Sequence, residues 1–233
     1  MKGVEQDKRA FVQQLFTRIA PRYDWFNRLA SCGLDQRWRH LALVRGGIAP
    51  GQRVLDVCTG TGDLAILCAQ RGQGIVMGVD MNHAMLTRAQ HKQRSHRLSI
   101  GWLQADALTL PFLDESFDRV TMSFSTRNLS DVTEALREMI RVLRPGGQLI
   151  ILETGRPANP LVRVGYYLFL LTVARLIGLI LTGRLWPFTY LAKSVQAFLT
   201  PGQFIERLQS VYTQVEYVPL SWGLASLYLA AKR

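Results

Sequence analysis

The run VLDVCTGTGDLA, residues 54–65, holds the side chains best placed to do chemistry. It begins as an apolar strand, breaks at Gly60-Thr61-Gly62 and enters a helix at Asp63. That glycine spacing lets a backbone approach a ligand closely, and an acid, Asp80, follows about 20 residues later, as in a dinucleotide loop. Two further acids, Asp56 and Asp63, flank the turn. A pyrophosphate seated on the helix N-terminus would be repelled by both.

A cationic ligand without phosphate has the opposite needs. S-Adenosylmethionine carries an ammonium and a sulfonium and still has a ribose diol and an adenine. Asp56 and Asp63 favour its cationic end, and Gly60 and Gly62 give the backbone access to it. Asp80 is placed to accept both ribose hydroxyls, and Asp106, followed by Ala107, suits the adenine amino group. These acids sit at C-terminal strand ends, where open α/β sheets bind ligands.

The elements that position them alternate. Strands are predicted over residues 53–57, 75–80, 98–104, 117–124 and 147–153, with helices over 63–70, 82–94 and 131–143 between them. This is the pattern of βαβ units and a parallel sheet. Helices over 5–20, closed by Pro21, and 34–45 precede it. A helix at 201–210 and strands at 213–219 and 224–231, read as a hairpin, follow it. The set Asp56, Gly60-Thr61-Gly62, Asp80 and Asp106-Ala107 resembles class I S-adenosylmethionine-dependent methyltransferases, and that resemblance implies a doubly wound, Rossmann-like, mostly parallel seven-stranded α/β sheet. The chain's expected parts are a helical cap at 1–50, a cofactor core at 51–155, an apolar helical segment at 156–212 and closing strands at 213–233.

The 233-residue chain has a net charge of +11, unevenly spread. Residues 51–155 carry 11 basic and 11 acidic side chains, whereas 1–50 carry nine and four, and 156–233 eight and two. Basic flanks around a neutral centre point to an anionic surface or substrate. Residues 161–182 are strongly apolar but interrupted by Arg163 and Arg175, with a longest charge-free run of 164–174, too short to span a bilayer. The segment is expected to pack on the domain or to lie in a membrane interface. The N-terminal residues lack the apolar region of a secretory leader, and Cys32, Cys58 and Cys68 form no disulfide framework. The four histidines show no ligand spacing, so no metal is expected. A cytoplasmic, peripherally membrane-associated protein is the expectation, and a homo-oligomer is compatible with it.

Several motifs narrow this further. YDWFNRLASCGLDQRW (23–38) and RVLRPGGQLIILETG (141–155) resemble the two signatures of the ubiquinone/menaquinone biosynthesis C-methyltransferases. FSTRNLSD (124–131), YLAKSV (190–195) and the C-terminal GLASLYLAAKR match in place. Asp35, Phe26 and Gly155 stand where that family usually has histidine, methionine and serine, and Cys58 where class I methyltransferases usually have glycine. The resemblance implies S-adenosylmethionine contacts at Thr61, Asp80, Asp106, Ala107 and Ser123. It also implies methyl transfer to a ring carbon of a polyprenylated benzoquinol or naphthoquinol.

Carbon methylation needs an electron-rich ring, which loss of a phenolic proton provides. Arg127 and Asn128 are the candidate catalytic pair: Arg127 to stabilise a phenolate, Asn128 to orient the quinol oxygen. A water or a carboxylate would take the proton. Tyr23, Asp24 and Asn27 are candidates to line the ring pocket. Arg163, Arg175 and Arg184 would face lipid head groups, with Tyr166, Leu168, Phe169 and Leu171 meeting the isoprenoid tail. Other readings are a methyltransferase of another lipophilic acceptor, an RNA methyltransferase and a non-enzymatic membrane module. The sequence SFSTRN after the fourth strand lacks the motif of a nucleic-acid methyltransferase, and no nucleic-acid partner is expected.

Overall fold

A computed structural model describes residues 2–72, 74–183 and 186–232. Seven strands form one sheet in the order β3-β2-β1-β4-β5-β7-β6. They are β1 (Arg53–Val57), β2 (Ile75–Asp80), β3 (Gly101–Gln104), β4 (Phe117–Ser123), β5 (Leu143–Thr154), β6 (Gln214–Leu220) and β7 (Ala225–Ala231). The first five pair in parallel, while β7 runs antiparallel between β5 and β6. The alternation therefore reads correctly as a doubly wound sheet. The closing strands are the expected hairpin, with β7 as its inner member. β5 begins earlier than expected because its Leu143 end pairs with Phe117 across an irregularity.

The crossover helices are α4 (Asp63–Gly72), α5 (His83–His96) and α6 (Val132–Val142), preceded by α1 (Lys2–Ile19), α2 (Tyr23–Ala30) and α3 (Leu34–Arg45). Asn82 and Asp131 cap α5 and α6, each accepting a backbone N–H three residues on. Pro21 lies in a 3-10 turn at Ala20–Arg22 that leads directly into α2. The stop at Pro21 thus conceals a second helix, because proline is tolerated in a first helical turn.

Helix α3, expected within the cap, instead buries Ala42 and Leu43 against Val54, Leu64 and Ile150 of the sheet layer. Likewise α10 (Pro201–Gln209) sends Phe204 and Leu208 into the main core. A separate apolar cluster unites Leu15 and Ile19 of α1 and Phe26 of α2 with Leu170 and Ala174. Those last two belong to α7 (Pro160–Leu171) and α8 (Val173–Thr182), and α9 (Trp186–Ala197) packs beside them.

The apolar segment is one helical run kinked at Thr172, where φ is −114° and ψ −80°. Counted with its two arginines, Pro160–Thr182 is, by length and composition, long and apolar enough to cross a membrane, contrary to the expectation drawn from its charge-free run, and with only 17% of its most apolar window buried it is no core helix. Leu161, Val164, Leu168, Leu176 and Ile180 are exposed at helical spacing. Trp25 and Leu29 of α2 are exposed as well. Arg184 lies outside the described residues.

Candidate active site

The sheet order reverses between β1 and β4, and two cavities open beyond the C-terminal ends of these strands. The smaller, about 110 Å³, is walled by the glycine loop, the ends of β2 and β4, and α1 from above. The larger, about 460 Å³, lies under α1, α2 and α7 and is mostly apolar. Phe16, Tyr23 and Asn128 belong to both walls, so the two spaces meet at these side chains.

The smaller cavity gathers Gly60, Thr61, Asp80, Asp106, Ala107 and Ser123, six of the eight residues expected to hold the cofactor. Gly60 has φ +56°, and a Cβ there would meet open space, so the backbone itself forms part of the cradle. Asp80 accepts N–H bonds from Gly60 and Asn82, both at 2.8 Å. Met81 N–H is a third backbone donor to the same carboxyl, and Asp80 still lines the cavity. Burial pushes the Asp80 carboxyl above its ordinary range, and the backbone bonds oppose that rise. Asp106 accepts from Leu108 N–H and forms an ion pair with Arg9 of α1 at 2.7 Å. Helix α1 thereby closes over the Asp106 side of the cavity, aided by bonds from Asn82 to Gln13 O and Thr17, both 2.8 Å. An acid-lined cleft with backbone access fits S-adenosylmethionine.

Three expected residues lie elsewhere. Asp56 is 1% exposed behind the loop and accepts hydroxyl bonds from Thr59 (2.6 Å) and Thr121 (2.7 Å). Burial raises its pKa to about 6, so it braces the turn and does not face a ligand. Gly62 packs against the Trp102 ring. Asp24 is tied to Thr61 and to Lys92, the latter at 2.9 Å, and so locks α2 to the loop. Asp63 does reach the smaller cavity, but it also pairs with Lys92. Its charge is therefore partly neutralised, which weakens the like-charge argument drawn from it.

Cys58 has φ +53°, in the left-handed region that favours glycine. That explains why a glycine is usual here and shows that this chain keeps the turn at a cost of roughly 1 kcal/mol or more. Burial pushes its thiol well above the usual value. At Gly155 a Cβ would lie 2.1 Å from the Gly223 carbonyl oxygen, so the close approach of the loop before β7 requires glycine.

Arg127, Asn128, Tyr23 and Asn27 all line the larger cavity. Arg127 is 8% exposed; its Nη1 donates to Glu153 Oε1 at 2.5 Å and to Phe124 O at 2.7 Å. Its Nε is buried without a partner among the described residues. Asn128 Oδ1 accepts from the Tyr190 hydroxyl at 3.3 Å. Tyr23 is pushed above its usual pKa by burial, against the opposing pull of an Asn27 side-chain bond and the Arg127 charge. Helix α7 is two-sided: Tyr166, Phe169 and Leu170 face the cavity, while Leu168 is 61% exposed on the outside.

Sequence reading missed Glu153, the fully buried partner of Arg127, although an acid inside the apolar run LIILETG was a visible signal. It also missed Phe16, Arg39 and Lys92, whose relevance depends on neighbours distant in sequence. Asp35, at the position usually histidine, forms a buried ion pair with Arg39 at 2.7 Å.

Known proteins agree with this arrangement. Among solved structures, a methyltransferase dependent on S-adenosylmethionine from Aquifex aeolicus superposes with a TM-score of 0.62 at 19% identity, covering 82% of this chain and 88% of its own. The [4+2]-cyclase SpnF superposes at 0.72 with 18% identity, covering 95% of each chain. At these identities the likeness shows the fold alone. A demethylmenaquinone methyltransferase of Deinococcus radiodurans is 40% identical over 232 residues, covering 99% of this chain and 96% of that protein. One from Thermus thermophilus is 38% identical, covering 92% and 98%. A ubiquinone/menaquinone biosynthesis C-methyltransferase UbiE of Geotalea daltonii is 36% identical, covering 97% and 98%. The model of the ubiE/COQ5 methyltransferase family matches residues 1–232, and with the strand-end acids and the paired cavities in place, the chain belongs to that family.

Proposed function

We propose that this protein transfers a methyl group from S-adenosylmethionine to a ring carbon of a polyprenylated quinol in quinone biosynthesis, working at the surface of a membrane. The observation that carries the reading is the junction of an acid-lined cofactor cleft with an apolar cavity at Phe16, Tyr23 and Asn128. The names of the relatives at 40% and 38% identity favour a naphthoquinol acceptor.

S-Adenosylmethionine supplies an electrophilic methyl group on a sulfonium. The chain holds the donor through Asp80, Asp106 and the Gly60–Thr61 backbone, with Ala107 and Ser123 completing the wall. The ring lies between Tyr23, Asn27 and the aromatic side of α7. Asn128 has its acceptor engaged by Tyr190, so its NH2 is left to hold a quinol oxygen at the junction. The Arg127 guanidinium, on the wall of the larger cavity, stabilises negative charge on that oxygen as the phenolic proton passes to a water or a carboxylate. The apolar walls exclude water and orient the ring carbon towards the cleft.

The isoprenoid tail reaches this cavity from a bilayer. Helix α7 separates the cavity from an exposed apolar face continuing along α8, and the basic flanks add attraction to anionic lipid. Vesicle sedimentation tests this part: Leu168→Glu with Leu176→Glu is expected to reduce binding to anionic vesicles without changing cofactor affinity. Unchanged binding would remove that face from the reading. The reaction is tested with labelled S-adenosylmethionine and a panel of demethylated benzoquinols and naphthoquinols. Label on the naphthoquinol ring is expected; no labelled quinol would refute the assignment.

A further inference from the structure

The cofactor cleft is lined by three acids, Asp63, Asp80 and Asp106, and, among the described residues, by one base, Arg39. Arg39 stands in the middle of α3 and is 3% exposed. Its guanidinium lies 5.2 Å from the centre of the Phe124 ring. Nη1 donates to Asp35 Oδ2 at 2.7 Å, and Nε is buried with no partner among the described residues. Arg39 lies on the cleft wall with its charge shared between Asp35, Asp56 and Asp63, and the part of its guanidinium not committed to Asp35 is the donor surface offered to a ligand acceptor.

The surroundings hold Arg39 in place. Asp35, one helical turn earlier, is itself fixed by a bond from Ser31 Oγ at 3.1 Å and one from Gln36 at 3.2 Å. Phe124 has φ +56°, which turns its ring under the guanidinium. Lys92 and Arg28 are the other cations near the loop, but they are not on the cleft wall, and Lys92 is engaged by Asp24 and Asp63. The methyl donor has two cationic groups and one carboxylate. Acids at the strand ends suit its hydroxyls, amino groups and cations; none of them can hold the carboxylate.

We infer that Arg39 binds the α-carboxylate of S-adenosylmethionine, with Asp35 as its positioning residue. This inference rests on the reading that the smaller cavity takes the methyl donor. It makes the site selective for donors that keep an intact amino-acid end. The product S-adenosylhomocysteine keeps the same carboxylate, so Arg39 holds substrate and product alike and governs affinity more than turnover.

Calorimetry on the full chain tests it with three ligands: S-adenosylmethionine, S-adenosylhomocysteine and decarboxylated S-adenosylmethionine. The wild type is expected to bind the decarboxylated analogue about 10- to 100-fold more weakly than the intact donor, the range of a charge-assisted contact. Arg39→Gln combined with Asp35→Asn avoids leaving an unpaired buried acid. That variant should lose about 10- to 100-fold in affinity for both carboxylate-bearing ligands and change under about threefold for the analogue. Arg39→Lys should recover part of the loss. Equal wild-type affinity for the donor and its decarboxylated analogue would overturn the inference, even if the double variant does not fold. A parallel loss for all three ligands in the variant would also overturn it, because Arg39 would then be structural. Absence of donor binding by the wild type would instead refute the methyltransferase reading beneath it.

Discussion

Replacing Glu153 by glutamine keeps the shape of the side chain and removes its charge. Both carboxylate oxygens are committed. Oε1 accepts from Arg127 Nη1 (2.5 Å), Thr154 N (2.7 Å) and Thr154 Oγ1 (3.0 Å), and Oε2 from the Thr126 hydroxyl (2.5 Å) and Arg127 N (3.4 Å). At Oε1 an NH2 meets the obligate donors Arg127 Nη1 and Thr154 N head-on, while at Oε2 the Thr126 hydroxyl can turn to accept it, so the amide is held in one orientation and the charge is lost. The side chains of Arg127 and Glu153 are 4% and 1% exposed, leaving little water to compensate. Breaking a buried pair from one side costs about 3–5 kcal/mol. At about 2–4 °C per kcal/mol for a chain of this size, the melting temperature should fall by roughly 6–20 °C. Denaturant unfolding measures the loss directly.

Arg127→Met with Glu153→Gln should cost at least about 1 kcal/mol less than the two single changes summed, because the pair is coupled. Arg127 is on the wall of the larger cavity and not of the cofactor cleft. Turnover in Glu153→Gln should therefore drop about 100-fold, the effect of losing one well-placed donor, while affinity for S-adenosylmethionine stays within about twofold. A loss of stability below about 1 kcal/mol would refute the ion-pair argument. Loss of cofactor affinity in step with turnover would refute the separation of the two cavities.

Three further outcomes follow from the same geometry. Asp80→Ala should weaken cofactor binding about 10-fold or more in calorimetry, since it removes the ribose acceptor and an anchor of the Gly60 N–H; unchanged affinity would show that the strand-end assignment is mistaken. Asp56 has its pKa raised from 3.8 to about 6, so the folded state favours its protonated form. The associated stability, about 3 kcal/mol, is complete below about pH 3.8 and lost as pH rises through about 6. Asp56→Asn should gain about 1.4 kcal/mol on the wild type between pH 5 and pH 7.5 in urea unfolding, and a pH-independent difference would contradict the raised pKa. Cys32 is exposed, whereas burial raises the thiol pKa of Cys58 and Cys68. Iodoacetamide at pH 8 should label Cys32 first and the other two only on unfolding; early labelling of Cys58, read by mass spectrometry, would mean that its turn is open.

The alternation of strand and helix in residues 53–153 determined the parallel sheet, because side-chain periodicity is a local property of the chain. The placement of Asp80 and Asp106 beside one cavity was equally legible, since the end of a strand fixes where the next side chains stand. The short helix α2 was not, as Pro21 marks the end of α1 without revealing the 3-10 turn that joins the two.

Other assignments were decided only when distant segments met. Asp56, Asp63 and Asp80 look alike in the sequence. The fold turns the first towards Thr59 and Thr121, gives the second to Lys92 and leaves the third for a ligand. Arg127 read as a free cation until β5 brought Glu153 to it from 26 residues away. Arg39 carries no local signal in the sequence, and only burial, its pair with Asp35 and its place on the cleft wall set it apart. The sequence by itself determined the sheet, the strand-end acids and the family motifs, all of which depend on spacing along the chain. The tertiary structure decided which charges are already neutralised and which still face a cavity, because burial and pairing arise from contacts that no local pattern records.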